Sequence, residues 1–432
     1  MDAPKTFCSL AWVHRFTNIG GEIQVCCSSE EKDNNIRADD GRPMSIAETA
    51  SDEQIMNSRY MKEVRLKMLS GEWPEFCHRC EVTEKTGGTS RRNSENSRYS
   101  GIIGDLIRET AEDGTIPVRI RSADYRLGNL CNLACRMCNP RASSQWIKNW
   151  NDVDQNLFKL SPERAREFSE YDWYQKPNLM ENIKTQVPVL EHLHFAGGEP
   201  LIVPEMAKIL EYCVAEGHAA HIRLTYNTNI TKIPEKVKRL WPRFNGVQLL
   251  CSVDGYGELN EFIRHPSSWK TIDQNLRELD RSFDEYGLSE VQIMTTSQVY
   301  NILSLDPLFD YLAENMTRVS QIPHLIDLHY PLYYRTQILP PGLKKIARER
   351  LRNILKRTQE RIEAGKIPRS QSYLLDPLVG VLNFIDLEDH REAIPEFVRA
   401  AKSKDRMRGQ DTFKLLPELV ELEASRFMND GD

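Results

Sequence analysis

The chain has 432 residues, of which 40% are hydrophobic and 28% charged, and its formal net charge is −6 at pH 7. This composition is typical of a globular protein with two or three domains, and the acidic balance argues against general affinity for nucleic acid or anionic membranes. No run of ~18 apolar residues would cross a bilayer, and no apolar signal segment opens the chain. Ten cysteines therefore predict metal binding in a reducing, cytoplasmic location rather than disulfides.

The N-terminal region carries a spaced set of cysteines. A first cysteine is followed by a G-x4-C segment that ends in a cysteine doublet, and a C-x2-C pair comes later. Four thiolates in this order suit an iron–sulfur cluster, and they suit zinc as well. The predicted ligands are Cys8, Cys26, Cys77 and Cys80, with Cys27 as a substitute for its neighbour.

The chain outside the cysteine segments shows an alternation of predicted helices and strands. Residues 54–69 have apolar side chains at helical spacing, which predicts one amphipathic helix. Further along, strands alternate with helices, which favours a parallel α/β sheet, and six strands suit a partial (β/α)6 TIM-like barrel better than an eight-stranded one. The strands are predicted near 118–125, 192–196, 221–227, 247–253, 290–297 and 324–331, with helices at 204–216, 235–241 and 269–286.

Three domains are expected from this pattern. Residues 1–115 would form a cysteine-rich N-terminal domain, and residues 116–335 would form the partial barrel. Residues 336–432 are rich in alternating charges and are predicted to be a C-terminal helical region, because mixed charge of this kind is typical of solvated helix faces.

A second cysteine motif follows the first barrel strand. Cys131, Cys135 and Cys138 form a C-x3-C-x2-C run. Three thiolates can hold three irons of one [4Fe–4S] cube, and the fourth iron is then open to a substrate or cofactor. A structural zinc site is less favoured, since zinc usually takes paired C-x2-C knuckles with four ligands.

Small and polar residues occur where later strands end. Two glycines allow a backbone to approach a ligand closely, and a carboxylate can accept from an ammonium group. Each segment taken singly is also an ordinary polar turn. The residues concerned are Gly197, Gly198, Glu199, Pro200, Asn227, Asn229, Ser252, Asp254 and Arg264.

The C-x3-C-x2-C run resembles the signature of the radical S-adenosylmethionine (SAM) superfamily, and the strand-end segments resemble that family's motifs in the expected order. The resemblance implies that the open iron chelates the methionine moiety of SAM, and that reductive cleavage gives a 5′-deoxyadenosyl radical that abstracts hydrogen. It implies a SAM amine held by Glu199 with Gly197, Gly198 and Pro200, and a SAM carboxylate near Arg264. The resemblance also places five residues near the ribose or the cluster, namely Asn227, Asn229, Ser252, Asp254 and Met137. Met137 stands where the family often has an aromatic residue.

The N-terminal cysteine order resembles twitch, the shortened SPASM module that holds an additional iron–sulfur cluster. In the family this module follows the barrel, whereas here it precedes it. The resemblance implies a second [4Fe–4S] cluster, with zinc as the alternative, and a ribosomally made peptide or protein as substrate. The alternatives are a small-molecule substrate such as a sugar, or a non-catalytic metal-binding scaffold. A reductant such as flavodoxin or ferredoxin is the expected partner.

Overall fold

The computed structural model describes residues 3–28, 34–48, 51–85, 89–158, 160–161, 163 and 167–424. The chain forms two compact units. The first comprises residues 1–130, 170–226 and 243–246, and the second comprises residues 131–169, 227–242 and 247–432. The three-domain division with boundaries after residues 115 and 335 stays a prediction.

The strands are short, and from β2 onward helices separate each strand from the next. In chain order they are β1 (His14–Thr17), β2 (Ile23–Gln24), β3 (Ser122–Arg126), β4 (His192–Ala196), β5 (Arg223–Thr228), β6 (Val247–Ser252), β7 (Leu288–Ser297) and β8 (His324–Asp327).

The α-helices of the described residues vary from four to 23 residues in length. In order they are α1 (Leu10–Val13), α2 (Asp52–Met56), α3 (Arg59–Leu69), α4 (His78–Lys85), α5 (Arg91–Arg98), α6 (Ile103–Arg108), α7 (Ser144–Lys148), α8 (Pro177–Gln186), α9 (Pro204–Ala215), α10 (Glu235–Leu240), α11 (Glu258–Ile263), α12 (Trp269–Arg281), α13 (Asp306–Asn315), α14 (Pro341–Glu363), α15 (Leu375–Phe384), α16 (Ile394–Arg408), α17 (Thr412–Leu415) and α18 (Val420–Ala424).

In the first unit the strand order is β2-β1-β3-β4-β5. Strand β2 is antiparallel to β1, and the other neighbours are parallel. The register places Asp124 opposite His194, and His194 opposite Thr225. Because alternate residues of a strand share a face, these polar side chains lie on one side of the sheet.

In the second unit β6, β7 and β8 are parallel neighbours. Strand β6 alternates between buried and half-buried residues, and Cys251 is on its buried side. Cys251 and Cys213 of α9 are both fully buried, as the apolar character of the strand and helix that carry them predicts. Residues of α14, α15 and α16 extend the hydrophobic core of this unit.

The prediction of one continuous helix over residues 54–69 is wrong. The chain forms two helices, and the second starts where the Ser58 side chain accepts from the Met61 N–H at 3.4 Å. The preceding Asn57 is held by Ile116, which accepts from its amide at 2.9 Å and donates to its oxygen at 3.0 Å. Serine favours such caps because its hydroxyl satisfies an N–H that the first helical turn leaves unpaired.

The predicted α/β class with a partial barrel and a helical C-terminal region is confirmed, since parallel strands alternate with helices through β8 and helices follow to residue 424. Strands β1 and β2 were not predicted, and β3 starts at Ser122 rather than near 118. Within the described residues, no helix has both the length and the apolar character needed to cross a membrane.

Candidate functional site

The cysteine loop of the second unit has a hydrogen-bonded backbone. The N–H groups of Ala134 and Arg136 donate to the carbonyls of His265 and Ile263 at 2.7 and 2.8 Å. The carbonyl of Cys135 accepts from the Cys138 N–H at 3.0 Å and from the indole of Trp146 at 3.0 Å. This pairing fixes the course of the loop and sets the three cysteines in one place.

The sulfur atoms of this loop lie together, and those of Cys131 and Cys135 accept hydrogen bonds. Cys131 and Cys135 are buried, with Met137 and Cys138 packed against them. The Leu133 N–H donates to the Cys131 Sγ at 3.4 Å, and a hydrogen bond from Cys138 lowers the pKa of Cys135 to about 7. Thiolates with N–H donors directed at sulfur are typical of iron–sulfur ligands, so this donor set fits such a cluster.

The predicted asparagines at the end of β5 border the cysteine loop. The Asn229 amide donates to the Cys131 Sγ at 3.9 Å and to the Asn132 side chain at 3.0 Å. Asn227 is the second-last residue of β5 and is half-buried. The structure therefore brings Asn229 to the first cysteine of the loop.

The glycine turn of the first unit lies against the segment that leads into the cysteine loop. Gly198 donates to the Gly128 carbonyl at 3.0 Å, and the Glu199 N–H donates to the Leu130 carbonyl at 2.8 Å. Gly197 has a positive φ of 122°, which favours glycine. Glu199 is only 1% exposed. The turn therefore fixes the backbone of residues 128–130, and Leu130 directly precedes Cys131 in sequence.

Gly198→Ala is expected to disturb this contact, because an added Cβ would lie 2.2 Å from the Leu130 carbonyl oxygen. Overpacking against backbone costs about 1–3 kcal/mol, and we expect a lower unfolding temperature together with about tenfold weaker SAM binding. Thermal unfolding and equilibrium SAM binding are the measurements. Gly104→Ala is the control, since its Cβ would meet no atom within 4 Å. Equal unfolding and binding in the two variants would contradict the expectation.

Asp254 and Arg264 form a buried ion pair, with 2.8 Å between Oδ2 and Nε. The other carboxylate oxygen of Asp254 accepts from the Thr296 N–H at 2.8 Å, and Asn260 accepts from the Asp254 N–H at 3.0 Å. Burial raises the pKa of Asp254. Sequence analysis predicted both members of the pair and missed Thr296 and Asn260, because no motif marks residues that act through backbone contacts.

Ser252 and Met137 are the remaining predicted residues of the second unit. Ser252 ends β6, is half-buried and pairs in register with Met294 of β7. Met137 is partly buried and packs against Cys131, Leu133 and Cys135. Both side chains lie where sequence analysis expected them, at a strand end and beside the cysteines, and their contacts with SAM stay a prediction.

In the first unit the four predicted N-terminal ligands converge. Cys8, Cys26, Cys77 and Cys80 line one cavity, together with apolar side chains and two arginines. Burial raises the pKa of Cys8 to about 12 and also raises the pKa of Cys77. Such thiols are protonated at neutral pH unless a metal holds them as thiolates, and four cysteines at one cavity supply the donors that an iron–sulfur cluster takes.

The adjacent cysteines Cys26 and Cys27 have different surroundings. Cys26 lines the cavity, whereas the Cys27 sulfur contacts the Arg91 guanidinium and lies 3.9 Å from the Ser28 hydroxyl. Arg91 belongs to α5, which begins at a capping box formed by Ser90 and Asn93. The geometry favours Cys26 over Cys27 as the fourth ligand.

A charged group lies on the sheet of the first unit, around Asp124 of β3. His194 Nδ1 lies 3.1 Å from Asp124 Oδ2, and Arg126 Nε lies 3.2 Å from Asp124 Oδ1. Burial opposes ionisation of Asp124, but Arg126 and His194 hold the pKa of this carboxyl well below its usual range. The available signal was the alternation of His192 and His194 just before the glycine turn.

Among the described residues, no group of three or more His, Cys, Asp or Glu side chains is arranged around a single metal-ion position. Residues 125–295 match the family model of the Radical SAM superfamily. The matched stretch includes the cysteine loop, the glycine turn and the Asp254–Arg264 pair. The match indicates a radical SAM domain over these residues. No curated protein matches the sequence significantly.

Several solved structures are similar to the chain. Streptococcus suis SuiB bound to the precursor peptide SuiA has 13% identity and a TM-score of 0.33, over 67% of this chain and 60% of that chain. The anSMEcpe protein with bound AdoMet and a Kp18Cys peptide has 18% identity and a TM-score of 0.36, over 57% of this chain and 62% of that chain. TYW1 with a lysine-pyruvate adduct has 14% identity and a TM-score of 0.29, over 56% of this chain and 73% of that chain. The chain thus spans less than two thirds of the length of the SuiB and anSMEcpe chains.

Proposed function

We propose that this chain is a radical SAM enzyme whose catalytic cluster is bound by Cys131, Cys135 and Cys138. The observation that carries the proposal is the packing of these cysteines in one loop, with an N–H donor on a sulfur, inside the stretch that matches the Radical SAM model. When bound, the cluster supplies the electron that cleaves SAM to methionine and a 5′-deoxyadenosyl radical, which abstracts hydrogen from the substrate.

Two charged residues of the matched stretch suit the two ends of SAM. The Glu199 carboxylate is buried and accepts from the Leu201 N–H at 3.1 Å, which holds it in place to accept from the SAM amine. Arg264 would pair with the SAM carboxylate, and its ion pair with Asp254 orients the guanidinium. Asp254 itself, with Ser252 and Asn227, would contact the ribose.

A second group is proposed at the cavity lined by Cys8, Cys26, Cys77 and Cys80. Convergence of four cysteines from separate chain segments supports it. We propose an auxiliary [4Fe–4S] cluster there, with zinc as the alternative. The order of these cysteines resembles the twitch module, and this resemblance favours a ribosomally made peptide or protein as the substrate.

The experiment that tests the proposal is metal and sulfide analysis of anaerobically purified protein, followed by an assay for reductant-dependent 5′-deoxyadenosine. About eight irons per chain with SAM cleavage would support two [4Fe–4S] clusters. About four irons plus zinc, with cleavage, would keep the radical chemistry and make the N-terminal site a zinc site. Full metal loading without cleavage would favour a metal-binding scaffold, and protein without iron would refute the enzyme proposal.

The class of substrate is tested by isotope transfer. Extract from cells grown on deuterated medium is separated into macromolecular, peptide and small-molecule fractions, and each is incubated with enzyme, unlabelled SAM and a reductant. Deuterium in 5′-deoxyadenosine identifies the fraction that donates hydrogen. Label from the macromolecular or peptide fraction is expected, and label from the small-molecule fraction alone would favour a substrate such as a sugar. The Cys135→Ala variant is the control for transfer that does not involve SAM cleavage.

A further inference from the structure

The C-terminal helix α16 reaches the cysteine loop with three charged side chains of its buried face. Lys404 Nζ donates to the Arg136 carbonyl at 2.6 Å, and the Arg408 guanidinium donates to the Ala134 carbonyl. Asp405 accepts from the Arg136 side chain. All of these residues belong to the second unit, so the helix and the loop form one hydrogen-bonded structure.

The spacing of these contacts follows from helix and loop geometry. Lys404 and Arg408 are four residues apart and therefore share one face of α16. Ala134 and Arg136 are two residues apart, and their N–H groups donate to residues 263–265 on the other side of the loop. The loop thus lies between α11's C-terminal segment and α16, and Cys135 stands between the two anchored residues.

The positive charges on this face are not equivalent. The Arg136 guanidinium is paired with Asp405, and it also lies over the Phe262 ring at 3.6 Å. Burial lowers the pKa of Lys404 well below its usual value, and the neighbouring Arg408 and Arg136 lower it further. The Lys404 Nζ is directed to the Arg136 carbonyl and the Tyr334 hydroxyl, at 2.6 and 2.9 Å, and the Arg136 charge is balanced by Asp405.

Arg408 differs from both. Burial lowers its pKa to about 10, so the guanidinium stays protonated at neutral pH. Its Nε and Nη1 atoms are buried and have no hydrogen-bond partner, and no carboxylate among the described residues pairs with it. The guanidinium lies 5.1 Å from the centre of the Trp146 ring, whose indole is hydrogen-bonded to the Cys135 carbonyl. Arg408 is thus half-buried, with Nε and Nη1 enclosed, and carries a cation without a carboxylate partner among the described residues next to the Ala134 carbonyl of the cysteine loop.

We propose that Arg408 is a positioning residue that holds the cysteine loop and raises the reduction potential of the cluster bound there. Reduction adds negative charge to an iron–sulfur cluster, and a nearby fixed cation stabilises the reduced state, since net charge and hydrogen bonding set such potentials. This inference rests on the proposed function, because it requires a cluster at Cys131, Cys135 and Cys138.

The test is an EPR-monitored redox titration of the protein with its clusters intact, in which this cluster is identified by the change in its signal on addition of SAM. Arg408→Met removes the charge and keeps much of the side-chain length. At a fixed potential we expect about tenfold less reduced cluster than in the unmodified protein, which corresponds to a midpoint ~59 mV more negative. Arg408→Lys keeps a cation and should restore most of the reduced fraction. Arg406→Met, on the exposed side of α16, is the matched control and should leave the midpoint unchanged.

An unchanged midpoint in Arg408→Met, with normal iron content, would overturn the proposal. A role in folding alone would lower iron content or unfolding temperature equally in the Met and Lys variants and leave the midpoint of intact clusters where it was. If Arg408→Met does not fold, Arg408→Gln is titrated instead, and the same two outcomes decide. Absence of iron in the unmodified protein would instead refute the proposed function, so the two failures are distinguishable.

Discussion

Cys135→Ala is expected to abolish the formation of 5′-deoxyadenosine from SAM. Cys135 lies at the centre of the loop, and its backbone is bonded to Cys138 and Trp146, so the substitution removes one thiolate and leaves the loop in place. A cluster with only two protein thiolates is not held, and about four irons per chain should be lost. Iron analysis and product quantification by mass spectrometry are the measurements.

Cys213→Ala is the matched control for that loss. Cys213 is buried on α9, and burial raises its pKa to about 12, so it behaves as a small apolar residue. Its substitution should leave iron content and SAM cleavage within about twofold of the unmodified protein, since a buried one-atom truncation costs only about 1 kcal/mol. Product formation by Cys135→Ala at the unmodified rate would show that the loop does not hold the catalytic cluster.

Cys77→Ala is expected to remove the second metal site while the first remains. Cys77 lines the N-terminal cavity with three other cysteines, and loss of one of four ligands disrupts a four-thiolate site, whether it holds a cluster or zinc. Iron should fall from about eight to about four per chain, or zinc should be lost. The EPR signal that responds to SAM should persist. Combined iron, zinc and EPR measurements separate these cases.

Cys27→Ala tests the same site from the position next to a proposed ligand. Its sulfur contacts the Arg91 guanidinium, and Cys27 is not among the residues that line the cavity, so the variant should keep the full metal content, whereas Cys26→Ala should behave like Cys77→Ala. The reverse result, with metal lost in Cys27→Ala and kept in Cys26→Ala, would exchange the roles of the two cysteines. Equal metal content in all three variants would remove the second site from the proposal.

Much of the candidate site was predictable because its information is local in sequence. Three thiolates within eight residues must lie in one loop, and the C-x3-C-x2-C spacing alone predicts their grouping. The glycines before Glu199 are likewise local, since positive φ and close backbone approach require a residue without a Cβ. The alternation along β6 was enough to place Cys251 on the buried face and Ser252 on the other.

The short strands β1 and β2, and the break between α2 and α3, could not be predicted from local sequence patterns. Strand β1 has four residues and β2 has two, which is too short for a clear period of two, and their pairing depends on β3 far along the chain. The break between α2 and α3 depends on Ile116, which holds Asn57 through two hydrogen bonds. The apolar spacing of residues 54–69 contains no trace of that distant partner.

By itself, then, the sequence determined which residues could bind a cluster and where strands and helices alternate, because spacing and periodicity are properties of neighbouring residues. Only the tertiary structure distinguishes Cys26 from Cys27, since both have the same sequence environment and differ in what the fold places beside them. It also brought Lys404 to the Arg136 carbonyl across 268 residues. A charged helix looks solvated from its composition, and only packing shows that one of its faces is buried against the cysteine loop.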